Sequence, residues 1–438
     1  MKNSFLYTLS LVFLISSLNG DTLSISKAYE LSLDNSNEMK SSAYQLEASK
    51  ENINQVKSKL YPQISANVTH SRTDFEVNHM QSRADYEIVE TSTDYTVALN
   101  QTLYNQEIYS KIGIERTRLK LNKIKLELQK QELSTRVLKT YLDILKSKTK
   151  IDLYDSFAKY NKYKSTSIEK KYKMNLSNKM DLLQAKVDYN TSKVNLAKEK
   201  KLFNIYNLKL QQLIGTEKFS LPNVDFKTID LQTIELMKKS VKIDENFDSN
   251  LNMQQAKLGI KLTKQEIKNA QNGHYPTLSL NARYTKYDSD DISTDYESMN
   301  KVSLQLEVPI YNGGYVNSKV ASSRLTAKAA QEDLELTKKN VQIQYDELLA
   351  IFNSSVDSLN LYQESLDSAH LYIDSVSLGF QNGLKSIIDL NDAKNKLHDL
   401  KYKYMENMYE MLNSYVELLI INNKLEDLKL IDTIIKKD

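Results

Sequence analysis

The sequence predicts an α+β membrane protein in which very long coiled-coil helices alternate with four amphipathic β-strands. Three observations predict this fold: scarce glycine and proline, a narrow heptad stripe of leucines, and four segments in which apolar and polar residues alternate. Only 9 glycines and 4 prolines occur among 438 residues, whereas an average chain contains roughly 7 % glycine and 5 % proline. A compact domain turns about every 10–15 residues, so this chain must consist of much longer elements.

The N-terminus has the pattern of a secretory signal peptide over residues 1–20. Lys2 supplies a positive charge, and residues 5–18 form an apolar stretch that is too short to span a bilayer. We expect cleavage near Gly20, before Asp21; the alternative is a buried N-terminal helix. No later run of about 18 apolar residues occurs, which excludes membrane-spanning helices. Any insertion into a membrane would therefore use β-strands.

Four segments alternate with period two: residues 63–69, 97–103, 277–284 and 302–310. In the first, Ile64, Ala66 and Val68 share one face; in the second, Gln101 interrupts the apolar face. We expect each strand to be about nine or ten residues long, which suits a tilted transmembrane strand. A half-buried sheet of a soluble protein would show the same alternation. Two polar segments, residues 74–94 and 288–300, are predicted to be long loops on the extracellular side.

The stretches after the strands are predicted to be long helices. Neither glycine nor proline occurs between Gly113 and Gly215, or from Tyr315 to Leu378. In the first stretch, leucines recur at intervals of seven at Leu119, Leu126 and Leu133, and a further series follows at intervals of four and three: Leu138, Leu142 and Leu145. Such a narrow stripe is typical of a coiled coil.

The two halves of the chain repeat each other. Residues 60–67 match 274–281, residues 103–105 match 310–312, and residues 180–185 match 388–393. We therefore predict a first repeat over 21–215 with a strand pair at 62–103, and a second over 216–438 with a strand pair at 276–310. Proline and glycine occur at the ends of strands rather than in their interiors. The predicted strand–helix junctions contain such residues: Pro62, Pro276, Pro309, Gly313 and Gly314.

Four strands cannot close a barrel, because an open sheet edge is not tolerated in lipid. Single-chain barrels begin at about 8 strands. The sequence therefore predicts an oligomer in which several chains contribute strands.

Composition argues against several classes of function. The chain has no cysteine, and its five histidines (His70, His79, His274, His370 and His398) show no metal-ligand spacing. Lysines and glutamates are interspersed at a net charge of +3, so no nucleic-acid-binding patch is indicated. No nucleophile–base motif or phosphate loop occurs. We expect neither an enzyme nor a cofactor.

Three segments resemble the TolC family of outer-membrane efflux proteins: residues 270–282 (AQNGHYPTLSLNA), 300–304 (NKVSL) and 308–319 (VPIYNGGYVNSK). The opening segment, residues 22–33, is also similar to the start of that family. The resemblance covers residues 21–430. It implies a homotrimer in the cell outer membrane, whose twelve strands form one barrel above a helical tunnel through the periplasm. A mixed equatorial belt would use residues 219–229, including Pro222, and the C-terminal segment.

The same resemblance implies a passive exit duct of a tripartite efflux or type I secretion system. Such ducts dock onto an inner-membrane pump or ABC transporter through a periplasmic adaptor. Two alternatives are a periplasmic adaptor and a structural coiled-coil protein of the envelope. Adaptors carry glycine-rich β domains around a single hairpin, whereas here glycine is scarce and the helices occur twice. A structural coiled coil would not need four amphipathic strands.

Asp389 and Asp392 are three residues apart and so share a helix face. They match the acidic pair that lines the periplasmic entrance in the family. Three copies would bring six carboxylates to one axis, and this crowding is expected to raise some of their pKa values and attract cations.

The positions matching the latch of the closed entrance are Asp181, Phe380, Lys385 and Met180. Lys385 stands where the family typically has arginine. It retains a positive charge that could pair with Asp181, but lysine lacks the two-pronged guanidinium of arginine. Phe380 replaces a tyrosine and Met180 a threonine, so we predict a gate that is less firmly latched.

The turns matching the family's adaptor-contact tips are Met174, Asn175 and Leu176, and Asn382, Gly383 and Leu384. Asn175 stands where glycine is expected, and asparagine tolerates a left-handed turn.

Overall fold

The computed structural model describes residues 22–77, 86–222, 231–242, 247–289 and 297–435. The predicted signal peptide lies outside them. The helices are α1 (Ile25–Asn35), α2 (Asn37–Ser58), α3 (Gln106–Lys173), α4 (Lys179–Ile214), α5 (Leu231–Ser240), α6 (Leu251–Gln271), α7 (Tyr315–Gln381), α8 (Ile387–Ile421) and α9 (Lys429–Ile435). The strands are β1 (Gln63–Val77), β2 (Tyr86–Tyr104), β3 (Thr277–Ser289) and β4 (Ser298–Glu307). None of these helices combines the length and apolarity needed to cross a membrane.

The order α2-β1-β2-α3-α4 recurs as α6-β3-β4-α7-α8, so each half contains the same series of elements. The described residues divide into two compact units. The helical unit comprises the described parts of 1–37, 130–245 and 342–438, and the strand unit those of 38–129 and 246–341.

The strand unit contains one antiparallel sheet in the order β1-β2-β3-β4. Its register places Ile64 opposite Leu99, Leu99 opposite Ala282, and Ala282 opposite Val302. The next row of this face contains Ala66, Val97 and Tyr284. Since side chains alternate between the faces of a sheet, one face is mainly apolar across the four strands, although Asn300 of β4 completes the second row. The predicted alternation is confirmed.

The lengths of β1, β2 and β3 were predicted wrongly, whereas β4 has the predicted length. The strands contain 15, 19, 13 and 10 residues, so most of the predicted loop at 74–94 belongs to β1 and β2. The register continues there through polar pairs: His70 Nδ1 lies 2.9 Å from Thr93 Oγ1, and the hydroxyls of Ser71 and Ser92 are 2.9 Å apart. Polar cross-strand pairs extend the ladder without an apolar alternation. The predicted loop at 288–300 is likewise shorter, because β3 reaches Ser289 and β4 begins at Ser298.

Two further details correct the predicted strands. A register shift between Thr102 and Tyr104 removes Leu103 from the regular alternation. The Gln101 side chain faces the start of β1 and donates a hydrogen bond to the Leu60 carbonyl at 2.5 Å, which explains a polar residue at this position.

The junction residues lie at the ends of strands. Pro62 and Pro276 directly precede β1 and β3. β4 ends at Glu307, short of the predicted Ile310, and Pro309 follows; proline has no N–H to continue a ladder. Gly313 and Gly314 have φ of 57° and 80° immediately before α7, which is a left-handed conformation that glycine adopts without strain.

The helical unit has a core rich in aromatic and aliphatic side chains. Leu138, Leu142 and Leu145 of the predicted stripe are fully buried, as are Tyr141 and Tyr409. The coiled-coil pattern therefore identified real core positions of α3. Leu119 and Leu126, in the other unit, are half-buried.

The first and last of the described segments meet in a mixed cluster within the helical unit. Thr22 forms a parallel bridge with Ser220. Asp432 of α9 accepts hydrogen bonds from the Ile25 backbone N–H at 2.9 Å and the Ser26 hydroxyl at 2.6 Å. This cluster contains the described part of the predicted equatorial belt; residues 223–229 lie outside the description.

Candidate functional site at the hairpin tips

The helical unit contains two helical hairpins, α3–α4 and α7–α8, and their turns hold the predicted site residues. In the first turn Asn175 has a φ of 58°. The Leu176 N–H donates to the Lys171 carbonyl at 2.8 Å, and the Asn175 N–H donates to the Tyr172 carbonyl at 3.0 Å. This pair of bonds is a Schellman motif with asparagine at its left-handed position.

The second turn has the same geometry. Gly383 has a φ of 75°, the Leu384 N–H donates to the Gly379 carbonyl at 2.8 Å, and the Gly383 N–H donates to the Phe380 carbonyl at 3.1 Å. The expectation that Asn175 would preserve the turn is confirmed, because the two tips close with matching hydrogen bonds.

The acidic residues Asp181 and Asp389 both lie in the first turn of a helix, three residues after its N-cap. The Asp181 N–H donates to Asn178 Oδ1 at 2.7 Å. At α8, Ser386 and Asp389 form a complete capping box: the Asp389 N–H donates to Ser386 Oγ at 3.1 Å, and the Asp389 carboxylate accepts from the Ser386 N–H at 2.8 Å. The two carboxylates are thus held at the positive ends of their helices.

The hydrogen bonds of the capping box affect the ionisation of Asp389. The Ser386 backbone N–H, and next the Ser386 hydroxyl, lower the pKa of Asp389 below its ordinary value. The increase predicted from carboxylate crowding requires three copies and would act against this effect.

A groove of about 770 Å³ lies between the two hairpins and brings together residues from all four helices. Asp181, Phe380 and Asp392 line it, together with Leu176 of the first tip. The remaining residues of the predicted gate, Met180, Asp389 and Lys385, do not line this groove. Met180 is 75 % exposed.

Polar contacts join the groove walls, and no sequence pattern predicts them. The Tyr160 hydroxyl donates to Asn391 Oδ1, and the Lys394 ammonium lies 4.5 Å from the centre of the Tyr160 ring. Lys164 pairs with Asp188 at 2.9 Å. These residues are far apart in sequence and share no motif, so only the packing of α3, α4 and α8 identifies them.

The predicted latch residues have other contacts within one copy. Phe380 packs against a buried cluster of Val376, Leu390 and Ala393, which explains an apolar ring without a hydroxyl at this position. Lys385 lies against Gly379, where a Cβ would be 2.9 Å from Lys385 Cγ. Of the ion pairs in the described residues, none joins Lys385 to Asp181. A link between copies remains a prediction.

The two hairpins are held together by a charged and aromatic contact between α3 and α8. Glu406 lies 2.7 Å from the Lys146 ammonium and 2.5 Å from that of Lys150. Nearby, the rings of Phe157 and His398 stack with centroids 4.0 Å apart. Burial lowers the pKa of His398 below its ordinary value. No acidic or histidine cluster suited to a metal ion occurs among the described side chains.

Comparison with known proteins identifies the family. The sequence matches the outer membrane efflux protein family over residues 28–216 and 243–421. The chain belongs to this family. It is 24 % identical over 417 residues to the outer membrane protein TolC of Escherichia coli (strain K12), covering 89 % of this chain and 82 % of that protein. It is 25 % identical over 389 residues to TolC of Salmonella enteritidis, covering 86 % and 77 %.

Solved channels share the fold. The CmeC outer membrane channel of Campylobacter jejuni superposes with a TM-score of 0.74 at 14 % identity, covering 94 % of this chain and 89 % of that one. The open state of the MtrE outer membrane channel of Neisseria gonorrhoeae gives 0.71 at 12 % identity, covering 91 % and 88 %. At such identities these likenesses concern the fold alone.

Family membership confirms the resemblance drawn from the sequence motifs. The chain is therefore an outer membrane efflux protein, and it has the fold of solved outer-membrane channels. The alternatives of a periplasmic adaptor and a structural coiled coil are not supported.

Proposed function

We propose that the protein is one of three identical subunits of a passive exit duct serving a tripartite efflux or type I secretion system. A periplasmic adaptor and an inner-membrane pump or ABC transporter would be its partners. The family membership and the curated relatives named TolC support this proposal.

The observation that carries it is the four-stranded sheet. Within the described part of the chain β1 and β4 each pair on one side only, and the apolar face is open: Ile64 is 71 % exposed and Val302 is 74 % exposed. In lipid an unpaired strand edge leaves backbone groups without partners. Three copies would supply twelve strands, and β1 of one copy could pair with β4 of the next to close a barrel.

The gate belongs to the same proposal. Asp392 lies on the groove wall and Asp389 at the start of the same helix. In a threefold assembly they would form a ring that attracts cations, with Asp181, Met180, Phe380 and Lys385 around it. The tips are available to an adaptor, since Leu176 is 71 % and Leu384 80 % exposed. Docking of adaptor and pump would open the entrance.

The absence of cysteine from the chain permits a direct test. Cysteine would be placed at Ser303 on β4 and, in separate variants, at Gln63, Ser65 or Asn67 on β1. All four face the polar side of the sheet. Treatment of outer membranes with a bismaleimide should give covalent dimers and trimers from at least one double variant.

Ser303→Cys alone is the matched control and should remain monomeric on a denaturing gel. Recovery of the protein as a soluble monomer, or the lack of any cross-link from the three double variants, would contradict the proposal.

A further inference from the structure

The four long helices of the helical unit pack in a defined order. α3 contacts α4 through the Ser147 hydroxyl, which donates to Glu199 Oε1 at 2.7 Å. On another side it contacts α8 through Glu406. α8 in turn contacts α7, where the Asn407 amide donates to the Ser355 carbonyl at 2.7 Å. No hydrogen bond or ion pair among the described residues joins α4 to α7. The order is therefore α4-α3-α8-α7, with α4 and α7 at the two edges.

Exposed apolar side chains concentrate on these two edge helices. On α4 they are Met180, Leu183, Val187, Val194, Ile205 and Leu208. On the part of α7 in this unit they are Ile343, Ile351, Leu361, Leu371, Tyr372 and Leu378. The described side chains of α8 include no large exposed apolar group, and residues 130–173 of α3 include only two tyrosines. Apolar stripes on the edges of a layer mark surfaces that another molecule covers.

The two edges carry opposite charge. α4 has seven lysines and three acidic residues, a net charge of +4. Residues 342–381 of α7 have six acidic residues and no lysine or arginine, a net charge of −6. All seven lysines and all six acidic residues are exposed, and none of them forms an ion pair within the described chain. The α3–α8 contact inside the chain joins lysines to a carboxylate, and the two edges carry the same kinds of charged group without an ion-pair partner among the described residues.

Both stripes follow a heptad repeat. On α4 one heptad position is occupied by Met180, Val187, Val194, Lys201 and Leu208. The heptad position before it is occupied by lysines: Lys179, Lys186, Lys193 and Lys200. On α7 one position reads Ile343, Ala350, Asp357, Glu364, Leu371 and Leu378. Charged residues beside or within such a seam select the partner helix.

Each apolar stripe is interrupted by a charged residue, and these two residues lie at the same distance from the hairpin tips. Lys201 is 26 residues after Asn175 at the first tip, and Asp357 is 26 residues before Gly383 at the second. At 1.5 Å per residue both are about 39 Å from their tips. The tips are themselves at one level, since Leu176 and Gln381 line the same groove. α4 runs away from its tip and α7 towards its own, so the two would pack antiparallel.

We propose that the α4 edge of one copy docks on the α7 edge of the next, with Lys201 paired to Asp357 of the neighbouring copy inside a seam that is apolar apart from these two residues and Glu364. The inference rests on the proposed three-copy duct, because a head-to-tail contact of two different edges closes into a ring. Glu364 falls level with Lys193, which adds a second charged contact. This pairing favours one vertical register of the copies, since a shift by one heptad in either direction places Asp357 against Leu208 or Val194.

Disulfide formation tests this register. The double variant Lys201→Cys, Asp357→Cys should give covalent dimers and trimers in oxidised outer membranes. The matched control is Lys201→Cys with Ile343→Cys, where the second cysteine is displaced by two heptads, about 21 Å along the helix. Cross-linking in the control, or its absence in the matched pair, would overturn the proposal.

Charge reversal supplies a second readout. Lys193→Glu with Lys201→Glu should abolish the trimer band that persists on an unheated gel. Adding Asp357→Lys and Glu364→Lys should restore it. Lys162→Glu with Lys396→Glu, at exposed sites on α3 and α8, makes the same change in charge and should leave the band intact.

The strand cross-links distinguish the two failures. If Ser303→Cys still links to β1 while reversal at α4 has no effect, the proposed edge contact is wrong and the trimeric duct stands. If neither set of cysteines links, the trimeric duct itself is contradicted.

Discussion

Asn175 and Gly383 occupy equivalent positions in the two hairpin turns, with left-handed φ values of 58° and 75°. Each is followed by a residue whose N–H closes the turn at 2.8 Å, Leu176 and Leu384. The hairpin turns of the two repeats therefore have the same geometry, with asparagine in the first repeat and glycine in the second.

This equivalence predicts how each tip responds to alanine. A residue that carries a Cβ pays about 1–2 kcal/mol of free energy to adopt the left-handed conformation, and this cost is lower for asparagine than for alanine. Asn175→Ala should lower the free energy of unfolding by about 1 kcal/mol, whereas Asn175→Gly should leave it unchanged or raise it slightly. Thermal unfolding of the purified protein measures both changes.

Gly259 provides the control for that experiment. It lies in α6, and an added Cβ would meet nothing within 4 Å. Gly259→Ala should raise stability by about 0.5–1 kcal/mol. If Asn175→Ala were as favourable as Gly259→Ala, the left-handed conformation at the first tip would be contradicted.

Glu406 is predicted to stabilise the contact of the two hairpins. Glu406→Ala leaves Lys146 and Lys150 without a counter-ion, and these partly buried groups should cost about 1–2 kcal/mol after solvent screening. Glu410→Ala, at an exposed position on the same helix, should change stability by less than about 0.5 kcal/mol. A double-mutant cycle with Lys150→Ala isolates the pair; a coupling energy near zero would count against it.

The same residue gives a dependence on pH. Desolvation alone would raise the pKa of Glu406, but the Lys146 and Lys150 ammonium groups outweigh it and lower that pKa. A carboxyl whose pKa is depressed on folding stabilises the protein above its ordinary value and loses this contribution as pH falls through the folded value. Glu406→Gln should therefore flatten the acid limb of the unfolding profile.

His398 is expected to make the free energy of unfolding depend on pH in a second, higher range. Burial lowers its pKa, and Nε2 is buried without a hydrogen-bond partner among the described residues. The neighbouring Asp399 opposes this shift, while Lys401 adds to it. The unfolded chain then binds a proton at higher pH than the folded chain, so the free energy of unfolding falls as pH drops below about 6.5.

His398→Phe retains a ring against Phe157 and should abolish that decline in urea unfolding between about pH 7 and 5. His370→Phe, at an exposed position of α7, should preserve it. An unchanged slope in His398→Phe would show that another group is responsible.

Asp392 is predicted to dominate the block of the channel by multivalent cations. Its side chain is exposed on the groove wall, whereas the Asp389 carboxylate is hydrogen-bonded to Ser386. In single-channel recordings, Asp392→Asn should weaken the block by a trivalent cobalt ammine about tenfold or more, since removing one residue removes three charges from the ring.

Asp399→Asn is the matched control. It lies seven residues further along α8 and pairs with Lys403 at 2.8 Å. Equal loss of block in both variants would indicate a general effect of charge. In Asp181→Ala, unchanged conductance would count against the proposed latch.

Much of the fold could be predicted from the sequence, for reasons visible at particular residues. Ile64, Ala66 and Val68 alternate because one face of a sheet is apolar. The match of residues 60–67 to 274–281 indicated the duplication that the element order displays. The missing glycine at Asn175 indicated a left-handed asparagine, because few other residues tolerate that conformation.

The sequence by itself determined the class of protein, the repeated series of elements and the form of the hairpin tips, because these depend on local periodicity and backbone preference. Only the tertiary structure decided the true length of the strands, since pairs such as Ser71 with Ser92 are defined by register and not by either strand alone. It also decided that Phe380 packs in an apolar cluster and that α4 and α7 are edges of opposite charge. Such features depend on which helices meet, and the sequence of one helix does not contain its neighbour.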